Sequence, residues 1–306
     1  MNVMPRVAWL VVALLVAHPA SAVNVPPQPV SEEEPLFALP TQTDRVGRIL
    51  APVMINGLGP FRFLLDTGAN HSTITPELAE ALGLLTSADR TRMVHGVTGS
   101  ARVPTVHIDH MRAGELVLSG RDIPVIGTTT LAGADGILGV AGLERARIHV
   151  DFRRDRVTIT RARARENTGA YLVIDAERMP DGILFMEARV RGVRVKAILD
   201  TGAERTLGNM ALLEALRARS RGSNRARMTN VYGATPDIAE GESELARTLW
   251  FGEVNIRHVD ITYGDFHIFR MWKLEDEPAL LLGMDVIGTV ANLVIDFPRS
   301  EILVAN

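Results

Sequence analysis

The 306 residues include no cysteine, so disulfides, thiolate metal sites and a cysteine nucleophile are all excluded. Stability must therefore come from a packed core. With 46% hydrophobic residues the chain has ample material for one large domain or two of ordinary size. A strong charge of either sign is also lacking: the formal net charge is −3, which gives no reason to expect a polyanionic partner. Aromatic residues are only 5% of the chain, too few for the stacking platforms that hold single-stranded nucleic acid. No His-Glu-x-x-His, no Gly-x-Ser-x-Gly and no phosphate-binding loop occurs. Beyond the N-terminus no apolar run approaches the length of a membrane span.

The N-terminus itself reads as a targeting segment. Arg6 precedes the apolar run Val7 to Val16, and Ala20-Ser21-Ala22 follows as a small-x-small cleavage signature. Residues 1–22 are therefore expected to be a signal peptide removed after Ala22, and the mature protein to be periplasmic or secreted. No cysteine follows to carry a lipid, and an exported chain without cysteine suits a bacterial periplasm. Residues 23–43, rich in proline and containing Glu32-Glu33-Glu34, read as an extended tether or a short pro-segment.

What the chain does have is a repeat. Phe63-Leu64-Leu65-Asp66-Thr67-Gly68-Ala69 returns as Ala197-Ile198-Leu199-Asp200-Thr201-Gly202-Ala203, with the aspartates 200 − 66 = 134 positions apart. Each copy reads as a short buried strand that ends in a carboxylate, which a buried strand does not normally do. Thr-Gly then permits a tight turn.

Around each copy the order of elements recurs. Ile49 to Ile55 and Phe61 to Leu65 read as strands joined across Asn56-Gly57-Leu58-Gly59-Pro60, and Leu184 to Val190 and Val193 to Leu199 as strands joined across Arg191-Gly192. A short helix follows each Asp turn, capped by Thr75 and Pro76 in the first half and running from Met210 to Arg217 in the second. Separate strands are expected at 115–118 and 123–126. Later come Ile137-Leu138-Gly139 and Leu281-Leu282-Gly283, then Asp151 and Asp296 at strand ends. The later offsets are 283 − 139 = 144 and 296 − 151 = 145, so about ten residues have entered the second half, a growth that loops tolerate. The domains read as an N-terminal lobe 44–160, a linker 161–169 and a C-terminal lobe 170–306. Pairing two copies about a pseudo-twofold brings their Asp turns together.

On these motifs the chain resembles the retropepsin-like and pepsin-like aspartic proteases, with both Asp-Thr-Gly-Ala elements in one chain. The alanine after glycine is closer to the retropepsin-like branch. The resemblance implies a mainly β, two-lobed acid protease fold, each lobe carrying a short helix. It implies an aspartic endopeptidase in which Asp66 and Asp200 are the catalytic dyad. Thr67 and Thr201 would brace the loops, and Gly68 and Gly202 would leave room for water and substrate. No cofactor or metal is called for, the partner is a polypeptide substrate, and a monomer is expected. His95-Gly96-Val97 and Tyr232-Gly233 sit where the family keeps its flaps, although the tyrosine of the pepsin flap belongs to the first lobe, where this chain has His95.

Two further readings stay open: a non-catalytic, protease-like module that binds extended peptides, and a zymogen whose residues 23–43 fill the cleft. His107-Ile108-Asp109-His110 has the alternation of a strand rather than a metal site, and the arginines at 205, 217, 219, 221, 225 and 227 read as a solvated basic stretch or a grip for an acidic substrate.

Overall fold

Buried apolar runs and two-residue turns build both halves in the same way. In the computed structural model, which describes residues 39–40, 47–127, 131, 133–162, 169–219 and 226–305, strand Leu50–Ile55 turns back into Leu58–Leu65. The turn is Asn56-Gly57 alone, with φ of 49° and 82°, the left-handed pair that matches the twist of flanking strands. Leu58, Gly59 and Pro60, expected in the turn, begin the second strand. The second half repeats this with Leu184–Val190, Arg191-Gly192 at φ 47° and 80°, and Val193–Leu199. Phe63, Leu64 and Leu65 are all buried, as are Ala197, Ile198 and Leu199. Each run lies parallel to a short apolar strand, Gly136–Leu138 in the first lobe and Ala279–Leu282 in the second, and such doubly covered strands read as continuous hydrophobic runs.

The first lobe is a seven-stranded sheet in the order Thr73–Ile74, Gly136–Leu138, Leu58–Leu65, Leu50–Ile55, Ser100–Ala113 and Ser87–His95, with Leu116–Pro124 also pairing Ser100–Ala113. The second is eight-stranded: Glu177–Arg178, Leu184–Val190, Val193–Leu199, Ala279–Leu282, Leu207–Gly208, Val254–Tyr263, Ile238–Phe251 and Arg227–Tyr232.

A third, six-stranded sheet joins the lobes. It runs Leu39–Pro40, Arg156–Arg161, Ala146–Asp151, Asn292–Asp296, Glu301–Ala305 and Leu172–Asp175. At its centre the antiparallel register sets His149 opposite Val294. These two are repeat equivalents, since 294 − 149 = 145, so the pseudo-twofold passes between them. All described residues belong to one compact unit.

The first-lobe helix Pro76–Ala81 has the predicted cap, with the Thr75 hydroxyl accepting from the Leu78 N–H at 3.2 Å and Gly83 at φ 65° just beyond its end. The second lobe has three helices rather than one: Met210–Ala218, capped by Asn209, then His267–Met271 and Met284–Ile287. The two strands expected at 115–118 and 123–126 are one, because Gly120 at φ 57° lets pairing to Ser100–Ala113 continue through what reads as a break.

The expected signal peptide and residues 163–168 of the expected linker lie outside the described residues, as does the tether apart from Leu39–Pro40. Among the described residues no helix is long and apolar enough to cross a membrane. The basic stretch is tied down where it is described: Arg217 pairs with Glu242 and Glu244, Arg205 and Arg227 face Asp260, and Arg219 donates to the Gly192 carbonyl.

Candidate active site

Each Asp turn hangs from the end of a buried strand and is held by the neighbouring parallel strand. The Asp66 N–H donates to the Leu138 carbonyl and the Asp200 N–H to that of Leu282, both at 3.0 Å. Gly139 and Gly283 follow those strands because the backbone of the Asp loop passes there. A Cβ on Gly139 would lie 2.6 Å from the His71 carbonyl carbon, and one on Gly283 would lie 2.5 Å from that of Arg205. Hydroxyls six positions after each aspartate complete the attachment: Ser72 accepts from the Gly139 N–H and Thr206 from the Gly283 N–H, both at 3.2 Å. Sequence reasoning passed over Ser72 and Thr206. Their equal spacing behind Asp66 and Asp200 is the signal that would have found them.

Thr67 and Thr201 exchange bonds across the lobes. The Thr67 hydroxyl donates to the Leu199 carbonyl at 2.5 Å and accepts from the Thr201 N–H at 3.1 Å. Reciprocally, the Thr201 hydroxyl donates to Leu65 at 2.6 Å and accepts from the Thr67 N–H at 3.3 Å. Both threonines are buried.

This brace sets the two carboxyl groups within hydrogen-bonding reach of each other. One oxygen of each is held by its own loop: Asp66 Oδ1 accepts from the Gly68 N–H at 2.9 Å, and Asp200 Oδ1 from the N–H groups of Gly202 and Ala203 at 2.8 and 3.0 Å. The glycines have a use beyond the expected one. A Cβ on Gly68 would stand 2.5 Å from Asp200 Cγ, and one on Gly202 would stand 2.4 Å from Asp66 Cγ. Each glycine makes room for the other lobe's carboxyl.

Burial raises the carboxyl of Asp200 well above its ordinary value, and the charge of Asp66 adds to this. Burial raises Asp66 too, against the bond from Asp200, the loop amides and the charge of Arg48. The pair therefore holds one proton between its members into a pH range where free carboxylates have lost theirs. Arg48, itself buried, reaches across the lobes to the Gly202 carbonyl at 3.4 Å. Its counterpart by the repeat, 48 + 134 = 182, is Gly182, so only one aspartate has a cation at this position.

The flap candidates come together. The hairpin of Ser87–His95 with Ser100–Ala113 and that of Arg227–Tyr232 with Ile238–Phe251 meet at their tips, where the Thr98 and Thr235 hydroxyls are 3.1 Å apart. Gly96 and Gly233 are needed for that approach, not for unusual backbone angles: a Cβ would stand 3.3 Å from Thr235 Cγ2 and 2.8 Å from Thr98 Oγ1, respectively. Val97 packs against the hydrophobic core. His95 contacts the second lobe through His267, which sequence reasoning did not single out. Tyr232 is 61% exposed. His107 and His110 lie on an exposed strand face, bonded to Asp122 and Ser119.

A family model described as aspartyl protease matches residues 51–141 and 186–286, more than half of the chain and inclusive of both Asp-Thr-Gly loops. No curated protein matches the sequence. The matched segments are the two lobes whose loops meet at Asp66 and Asp200, and the chain belongs to the aspartyl protease family.

Proposed function

We propose that the protein is an aspartic endopeptidase whose catalytic residues are Asp66 and Asp200. The observation that carries this reading is the close approach of two carboxyls, one from each lobe, with Asp200 buried and Asp66 partly exposed, each with one oxygen held by its own loop. Such a pair holds one proton and supplies an acid and a base at the same point. The bond from Asp200, the loop amides and, after them, the charge of Arg48 favour the ionised form of Asp66 against its burial, while burial and the charge of Asp66 raise Asp200, so Asp66 is assigned as the base and Asp200 as the acid. Asp66 takes a proton from water as its oxygen adds to the scissile carbonyl, and Asp200 gives its proton to the carbonyl oxygen. The resulting gem-diol collapses as Asp66 passes its proton to the amide nitrogen and a gem-diol hydroxyl returns one to Asp200; the C–N bond breaks, and a carboxyl and an amine leave.

An extended peptide lying beneath the paired hairpins is the substrate that fits, since closure excludes water from the reacting centre. All parts come from one chain, so a monomer suffices. Export with loss of residues 1–22 places the activity in a periplasm or outside the cell. The reading as a non-catalytic peptide binder is disfavoured by the intact, paired carboxyls, which binding alone does not need.

Cleavage of an unfolded protein by wild type, Asp66→Asn and Asp200→Asn, with sedimentation to fix the oligomeric state, tests the proposal. Each substitution should abolish cleavage. Substantial activity in either single variant, or none in the wild type, overturns it.

A further inference from the structure

The first-lobe flap is gripped by the second lobe at a point beyond its tip. His95, the last residue of strand Ser87–His95, meets His267, the first residue of helix His267–Met271, edge to edge. The ring centroids are 5.4 Å apart with planes at 23°, and His95 Nδ1 lies 3.2 Å from His267 Nε2. The helix belongs to a stretch that has grown in the second lobe: 15 residues separate Tyr263 from Ala279, against 11 between Pro124 and Gly136. The matching position on the second flap is Tyr232, which is 61% exposed, so the grip is one-sided.

A nitrogen-to-nitrogen hydrogen bond between imidazoles needs one donor and one acceptor, hence at least one neutral ring. With both rings protonated, donor would face donor and two cations would lie side by side. The groups around the pair mostly oppose that charge. Burial is the largest influence holding His267 below the ordinary imidazole value, followed by His95 and then by Arg270 on the same helix. Asp237 at the second flap acts in the opposite sense, while Asp265 is engaged by Arg270.

We propose that His95 and His267 form a protonation-sensitive clasp that holds the first-lobe flap against the second lobe and releases it on acidification. His267 is then a positioning residue, acting on the cleft through the flap. A first proton leaves an imidazolium that still donates to its neutral partner, whereas a second puts donor against donor; the open flap takes up this second proton more readily than the closed one, so acidification to the lower end of the imidazole range favours opening. The functional meaning of the clasp rests on reading the cleft as a peptide site, but its existence can be measured without substrate.

The test is hydrogen exchange of the flap segment 93–100 at about pH 7.5 and about pH 5.5, on either side of the imidazole range. Rates are corrected for intrinsic exchange and referred to the central strand Ala146–Asp151. Wild-type flap protection should fall about five-fold at the lower pH, the factor carried by one neutral hydrogen bond. His267→Gln, which bonds without titrating, should keep high protection at both values. His267→Phe, which keeps an aromatic ring without bonding, should show low protection at both. No fall in the wild type beyond that of the reference strand, or an equal fall in His267→Gln, overturns the clasp. Because no peptide is present, either result leaves the proteolytic reading untouched, and an inactive wild type would leave the clasp standing.

Discussion

Replacing Thr67 by valine keeps the shape of the side chain and removes one oxygen. That oxygen accepts from the Thr201 N–H and donates to the Leu199 carbonyl, both in the other lobe. Thr201 is fully buried and Thr67 nearly so, and water has no ready access to replace either bond. Leaving two buried backbone groups unpaired costs about 1–3 kcal/mol each, so Thr67→Val should lose roughly 2–6 kcal/mol of stability. A whole domain commonly has only about 5–15 kcal/mol.

Urea unfolding followed by the fluorescence of Trp250 and Trp272, together with circular dichroism, measures the loss as a lower midpoint at unchanged slope. Thr67→Ser, which keeps the hydroxyl, should lose only about 1 kcal/mol for its missing methyl. Thr201→Val should match Thr67→Val by symmetry, and the double variant should lose less than the sum, since the first change loosens the loops that the second would break. A Thr67→Val protein within about 1 kcal/mol of wild type, less than a single orphaned group should cost, would refute the reasoning.

Two further outcomes follow from the charges. Asp200 is raised in the folded state, which therefore binds more protons than the unfolded chain above the ordinary carboxylate value, and stability falls as pH rises through that window. Asp200→Asn should accordingly raise the melting temperature at neutral pH, with the gain shrinking toward pH ~4; a gain independent of pH would contradict the raised carboxyl. Arg48→Met should shift the acidic limb of the kcat/KM profile for peptide cleavage upward by removing the cation that favours ionised Asp66, whereas Arg48→Lys should leave it near the wild-type position; an unmoved limb in Arg48→Met would return the choice of base to the dyad alone.

Much of the fold could be read from the chain because its local signals agree. Phe63-Leu64-Leu65 and Ala197-Ile198-Leu199 are buried on both faces and so appear as unbroken apolar runs. Thr75, Pro76 and Gly83 mark helix ends through backbone bonds that are local in sequence. The long strand Ile238–Phe251 escaped because its inward positions include Gly241, Ser243 and Glu244, which erase the alternation. Ser243 is held by Thr262 and Glu244 by Arg217, partners that no short window contains. His267 escaped for the same reason, lying 172 residues from His95. The purpose of Gly68 was legible only in part, since sequence shows that a side chain is missing but not which atoms take its place.

The six-stranded sheet that joins the lobes bears on how the molecule can open. Parting the lobes would strip Ala146–Asp151 and Asn292–Asp296 of their mutual pairing and expose two sheet edges at once, besides breaking the threonine exchange. Any opening short of unfolding is therefore left to the hairpins, a local excursion, while the body opens only when the whole molecule unfolds. A protease that attacks extended chains can in this way present its cleft repeatedly without offering its own backbone in extended form. On the proposed function, resistance to autolysis would then be a property of the shared sheet rather than of the cleft.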